Sequence, residues 1–180
     1  MGSEERKSGL IILNGEPGTG KSYLIRHIIK NIENNYVLIP PSMAENLASP
    51  EFTSFLMRNT DSVFILEDCE TVIKDRNIMD VTSAVSSILN MSDGIMSDIF
   101  NGKFICTFNA DMSTIDNAIL RKGRCYAKYT FGKLDKEKAK VLLNEKGIEL
   151  DEYEDLTLAD IYHYNDKNVE SVTKKKKIGF

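Results

Sequence analysis

Tryptophan is absent from the 180 residues, proline occurs four times, cysteine three times and histidine twice. Each scarcity removes a class of protein. Cys69, Cys106 and Cys125 are odd in number, widely spaced and form no C-x-x-C pair. Free thiols in a reducing compartment are therefore expected, not a disulfide framework. His27 and His163 are far apart, make no metal pattern and read as helix-surface residues. No run of eighteen apolar residues occurs, so no membrane-spanning helix is expected. Met1-Gly2-Ser3-Glu4-Glu5-Arg6-Lys7 is polar and lacks the apolar centre of a secretion signal, so a cytoplasmic location is expected. Positive charge is short as well. The net charge is −4 although four consecutive lysines stand at 174–177. A body that acidic lacks the basic footprint of a general nucleic-acid binder. What remains is 42% apolar composition, enough for one ordinary domain with a buried core and a small appendage.

Within that chain, short apolar runs alternate with helix-patterned segments. Leu10-Ile11-Ile12-Leu13-Asn14, Tyr36-Val37-Leu38-Ile39, Ser62-Val63-Phe64-Ile65-Leu66, Phe104-Ile105-Cys106-Thr107-Phe108 and the segment 126–131 read as strands. Leu24, Ile25, Ile28, Ile29 and Ile32 recur at helical spacing, and Asn34-Asn35 closes that helix. Ser49 before Pro50 predicts a capped helix from residue 50. Val81, Ala84, Val85, Ile88 and Leu89 predict another helix, ended by Asp93-Gly94, and residues 115–120 a short one. After Gly132 the pattern becomes helical at 135–145. Thr157-Leu158-Ala159-Asp160 then forms a capping box, with Leu156 and Ile161 at staple positions. The expected fold is α/β: a five-stranded parallel sheet flanked by helices, with a small, reduced C-terminal helical lid. Residues 1–133 are read as the core, 134–165 as the lid and 166–180 as a polar, lysine-rich tail.

One stretch carries chemistry of its own. Gly15-Glu16-Pro17-Gly18-Thr19-Gly20-Lys21-Ser22 has the spacing G-x-x-x-x-G-K-[ST], between a predicted strand and a predicted helix. Glycines let consecutive N–H groups turn inward onto phosphate oxygens, and the following helix presents its N-terminal N–H groups to the same anion. Lys21 supplies a cation for the outer phosphates, Ser22 a hydroxyl for Mg²⁺, and Tyr23 is the next candidate contact. The alternative, a glycine-rich turn matching by chance, loses to the strand before it and the helix after it.

Binding phosphate is not hydrolysing it, because phosphoryl transfer also needs a carboxylate to order metal and a group to orient water. Glu67 and Asp68 follow directly on the apolar strand 62–66, at the edge where α/β folds bind ligands. A merely solvated acidic strand end is the weaker reading. Asn109 stands at the end of the next strand, where a turn-forming role is equally common.

With these residues in place the chain resembles the AAA ATPases (ATPases associated with diverse cellular activities) over about residues 9–134. Residues 15–22 match the family's Walker A loop and 63–68 its Walker B segment, which in most members ends Asp-Glu. The inverted Glu67-Asp68 is similar to the branch containing the mitochondrial Rieske-protein translocase, as is Leu66-Glu67-Asp68-Cys69-Glu70 as a whole. The resemblance implies that Glu67 is the metal-shell acid and Asp68 the water-activating acid. Asn109 takes the place of the sensor-1 residue. Ile115-Asp116-Asn117-Ala118-Ile119-Leu120-Arg121-Lys122-Gly123-Arg124 matches the second region of homology, with Asn117 and Lys122 where proline is usual. Arg121 and Arg124 then resemble arginine fingers that reach a neighbouring subunit's nucleotide, a task suited to a permanently charged bidentate donor. No arginine follows residue 132 to act as sensor 2, and no aromatic-hydrophobic-glycine pore loop lies between 40 and 55.

The resemblance implies ATP and Mg²⁺ as cofactors, hydrolysis at a site shared between subunits, and a ring-forming homo-oligomer that remodels a macromolecular partner. Asp68 is one methylene shorter than the usual glutamate, which predicts slow turnover. A nucleotide-gated assembly switch with little turnover is the main alternative. A loader in DNA replication or transposition has only the tail lysines for support, and a small-molecule kinase leaves Arg121 and Arg124 unexplained.

Overall fold

The computed structural model describes residues 9–40, 43, 49–69, 102–109 and 125–165. The expected helix at 81–89, the one at 115–120, Glu70, Arg121, Arg124 and the tail 166–180 lie outside the described residues.

Five strands form one sheet: β1 (Gly9–Gly15), β2 (Asn35–Ile39), β3 (Ser62–Leu66), β4 (Lys103–Phe108) and β5 (Cys125–Phe131). Their order is β2-β3-β4-β1-β5, and every pairing is parallel. Because side chains alternate along a strand, the two faces of β3 feed two different cores. Phe64 and Leu66 join Leu10, Ile12, Phe104, Cys106 and Phe108 on one face. Val63 and Ile65 join Leu13 and Ile105 on the other. That explains why β3 and β4 read as unbroken apolar runs.

Two helices cover the two faces. α1 (Lys21–Asn31) sets Ile25 and Leu24 against the Leu13 side. α2 (Pro50–Arg58) sets Phe52 and Leu56 against the Phe64 side. Its start is the one read from sequence: the Ser49 side chain accepts the Phe52 N–H at 3.1 Å, and Pro50 stands where no intrahelical donor is needed. α1 begins at Lys21, three residues before the first apolar position, Leu24, because the glycine-rich loop leads straight into the first turn.

The chain divides into two compact units, one of Met1–Gly15 with Lys21–Phe131 and one of Glu16–Gly20 with Gly132–Phe180. The second contains α3 (Lys136–Glu145) and α4 (Leu158–Tyr162). Its small core is Ala139, Leu143, Leu156 and Ile161, so both staple residues are buried together. Leu134 and Leu156 exchange backbone hydrogen bonds of 2.8 and 3.1 Å, and Thr157 and Asp160 complete the reciprocal capping box.

Asp135 caps α3. It accepts from the Lys138 backbone N–H at 2.9 Å and from its Nζ at 2.6 Å, and these bonds hold its carboxyl below the usual carboxylate range. A carboxyl with a lowered folded pKa stabilises above its unfolded pKa of about 3.9, and that contribution disappears as pH falls through the folded value. Asparagine retains the cap but not the charge. The Asp135→Asn protein is expected to melt slightly below wild type at pH 7, with the gap closing as pH falls below the ordinary carboxylate range. Thermal unfolding followed by circular dichroism across that range checks it; a gap independent of pH contradicts it.

Candidate functional site

All five strands run in one direction, so β1, β3 and β4 deliver their C-terminal ends to the same edge of the sheet. Gly15, Glu67 and Asn109 stand there, each at or just beyond a strand end. This juxtaposition follows from register: Ile12 pairs with Cys106, and Leu66 pairs with the same Cys106.

At the end of β1 the chain leaves the sheet through Gly15, whose φ of 144° is in the region that favours glycine. A Cβ there would overlap the carbonyl oxygen of Phe131 on β5, so only glycine fits the junction. Lys21, at the first position of α1, is buried, and its Nζ donates to the Gly15 carbonyl at 2.7 Å. The ammonium is thereby tethered at the root of the loop, with its stem packed and its charge directed at the strand end. Ser22 and Tyr23 follow on α1, both exposed.

The loop tip, Glu16–Gly20, groups with the C-terminal unit. Within that unit Thr19 is buried and its hydroxyl donates to the Glu16 carbonyl at 2.7 Å, which closes the loop on itself. Gly18 has φ 78°, and its carbonyl oxygen accepts the Ala159 N–H at 2.9 Å. A Cβ at Gly18 would lie 2.8 Å from the Ala159 Cβ, so the close approach itself demands glycine. Pro17 and Glu16 are exposed. Nothing in the loop's own residues announces the contact with Ala159. The capping box at 157–160 locates the helix start but not what it touches.

At the end of β3 the two acids diverge. Glu67 is half-buried, and its Oε1 is the one buried side-chain polar atom without a hydrogen-bond partner among the described residues. A buried carboxylate oxygen left so is costly unless a cation or water completes its shell. Asp68 is exposed, and its Oδ1 accepts from Asn109 Nδ2 at 2.8 Å. Its backbone lies at φ 53°, a left-handed conformation that short Asp and Asn side chains tolerate better than longer ones. The short acid at the second position thus suits the turn it occupies. The Asp68 N–H donates to the Thr107 hydroxyl at 2.8 Å, and the Cys69 N–H donates to the Thr107 carbonyl at 3.0 Å.

These residues can do two things chemically. The tethered Lys21 and the glycine-rich turn suit a polyphosphate. Glu67, with the Ser22 hydroxyl, suits a hard divalent cation that keeps most of its water and takes few protein oxygens. Among the described residues no group of three or more His, Cys, Asp or Glu side chains converges. No helix there is long and apolar enough to cross a membrane.

Of the residues picked from sequence, Gly15, Lys21, Ser22, Tyr23, Glu67, Asp68 and Asn109 fall in the first unit, and Glu16, Pro17, Gly18, Thr19 and Gly20 in the second. The sequence reading missed the buried Thr107 and Asn14, the latter accepting on its Oδ1 from the hydroxyl of the exposed Thr130 at 2.9 Å. For Thr107 and Asn14 the available signal was a polar side chain near the C-terminal end of an otherwise apolar, buried strand.

Comparison with known proteins bears on the same stretch. The model of the ATPase family associated with various cellular activities (AAA) matches residues 11–133. An AAA-ATPase of Arabidopsis thaliana is 30% identical over 123 residues, covering 63% of this chain. The chain spans only 27% of that relative's length.

Proposed function

The chain belongs to the AAA family of ATPases, and from that premise we propose that it hydrolyses ATP at a Mg²⁺-dependent site completed by a neighbouring copy in a ring. The observation that carries this reading is the hydrogen bond from Asn109 to Asp68, next in sequence to Glu67, one of whose oxygens has no donor among the described residues. Two adjacent acids held in different environments suit two roles.

In this reading residues 15–22 hold the triphosphate, with backbone N–H groups on its oxygens and Lys21 on the outer phosphates. Bound Mg²⁺, held by Ser22 and Glu67, would neutralise charge on the β- and γ-phosphates. Asp68 accepts a proton from the attacking water, and Asn109 keeps its carboxylate aimed while offering the water a further partner. Arg121 and Arg124 reach across to the neighbour's γ-phosphate, where a fixed cation is worth ~10³–10⁵ in rate. The substrate is a macromolecule remodelled by the ring. Residues 1–133 act as the ATPase core and 134–165 as its lid, with a lysine-rich tail after them.

Phosphate release at rising protein concentration tests this. The specific rate is expected to climb as copies associate, and Arg124→Ala protein should bind ATP yet turn over slowly. Mixing it with Lys21→Ala protein should restore part of the activity, since each supplies what the other lacks. A rate independent of concentration, together with an active Arg124→Ala monomer, contradicts the shared site.

A second reading gives that hydrogen bond the opposite consequence: an Asp68 oxygen engaged by Asn109 is withheld from water, as in an assembly switch with little turnover. That reading predicts saturable ATP binding with phosphate release no faster than the Lys21→Ala control.

A further inference from the structure

Thr107 is 1% exposed, inside a strand covered on both faces, where a hydroxyl needs a partner. Its partner is not in its own strand. Pairing between β3 and β4 ends at Leu66 and Cys106. Beyond that row, Thr107 takes both the Asp68 N–H, on its hydroxyl at 2.8 Å, and the Cys69 N–H, on its carbonyl at 3.0 Å. A ladder uses only backbone groups, so accepting with a side chain marks the point where β3 stops being a strand. There the chain turns, with Asp68 at φ 53°.

The turn decides where the acids go. Had β3 continued as a strand, residue 68 would have joined Phe64 and Leu66 on their buried face. Instead Asp68 emerges exposed against Asn109, while a Glu67 oxygen stays buried. β4 thus contributes Thr107, which holds the Asp68 backbone, and the residue just beyond it, Asn109, holds the Asp68 carboxylate. We infer that Thr107 is a positioning residue: its hydroxyl fixes the left-handed turn that gives Glu67 and Asp68 their separate environments. Thr107 acts through Asp68 and touches no substrate. The inference rests on the ATPase reading for its effect on turnover, but not for its effect on the turn.

The test compares Thr107→Val, which keeps the shape and deletes the hydroxyl, with Thr107→Ser, which keeps the hydroxyl. Three quantities are read: ATP turnover, the gain in ATP affinity on adding Mg²⁺, and amide hydrogen exchange at Asp68 and Cys69. In the valine protein kcat is expected to fall about 10- to 100-fold, as for a small misplacement of a reacting group. Mg²⁺-free ADP affinity is expected to stay within about threefold, because the phosphate loop is untouched. The Mg²⁺-dependent gain should shrink, and exchange at Asp68 and Cys69 should rise at least about tenfold while Leu13 and Ile105 stay protected. Serine should restore all of these.

A valine protein with wild-type turnover and wild-type amide protection overturns the inference. So does a serine protein as impaired as the valine one, since packing would then explain both. Exchange raised equally across the sheet overturns it too, by reducing Thr107 to a general stabiliser. If wild type releases phosphate no faster than Lys21→Ala, the ATPase reading fails instead. The exchange and Mg²⁺ arms then still decide on Thr107, and no change in either overturns it.

Discussion

Turnover by Asp68→Asn protein is expected to fall by about 10²- to 10⁴-fold, the range for loss of a general base. ATP affinity should change little. Asparagine is a clean probe at this position for a structural reason. It tolerates the left-handed backbone as well as aspartate does, and it retains an oxygen to accept from Asn109 Nδ2. What it loses is the ability to take a proton. A fall in kcat with unchanged affinity therefore isolates proton acceptance from the architecture around it. Steady-state phosphate release together with nucleotide titration separates the two. An Asp68→Asn protein that turns over within threefold of wild type would assign water activation elsewhere, with Glu67 the first alternative. The companion change Glu67→Gln is expected to weaken Mg²⁺-dependent ATP binding while sparing Mg²⁺-free ADP, because its buried oxygen lacks a partner among the described residues.

The second large effect belongs to Lys21. Removing a buried, hydrogen-bonded charge that faces an opposite charge costs about 2–5 kcal/mol, or roughly 30- to several-thousand-fold in affinity. Lys21→Ala is expected to lose ATP binding to that extent. The substitution also strips the Gly15 carbonyl of its 2.7 Å donor, so some loss of stability accompanies it. Lys21→Met retains most of the packed stem, so it recovers the packing share of the stability but neither the hydrogen bond to Gly15 nor the affinity. Isothermal titration with ATP and a melting curve for each variant distinguish the two losses. Methionine binding ATP as tightly as wild type would remove Lys21 from the phosphate site.

Both effects concern residues that could be named before any fold was seen, and for the same reason. Lys21 belongs to a motif whose meaning is local: eight consecutive residues encode a turn, a helix start and a cation. The α2 cap at Ser49 and the capping box at Thr157 and Asp160 are equally local, since each bond closes within three residues. The strands were legible because a sheet covered on both faces leaves uninterrupted apolar runs, as in Val63-Phe64-Ile65-Leu66.

By itself, then, the sequence determined the strand–loop–helix unit at residues 15–22 and the apolar strands of the parallel sheet, and it pointed to two adjacent acids just beyond β3. Only the tertiary structure decided how those acids are held. The Asp68 N–H meets a hydroxyl 39 residues away, its carboxylate meets an amide 41 residues away, and Asn14 meets Thr130 across 116. No periodicity or spacing encodes such pairs, because they arise from which strands lie side by side and in what register. The left-handed turn at Asp68 is of the same kind. An aspartate after an apolar strand permits it, and the neighbouring strand imposes it.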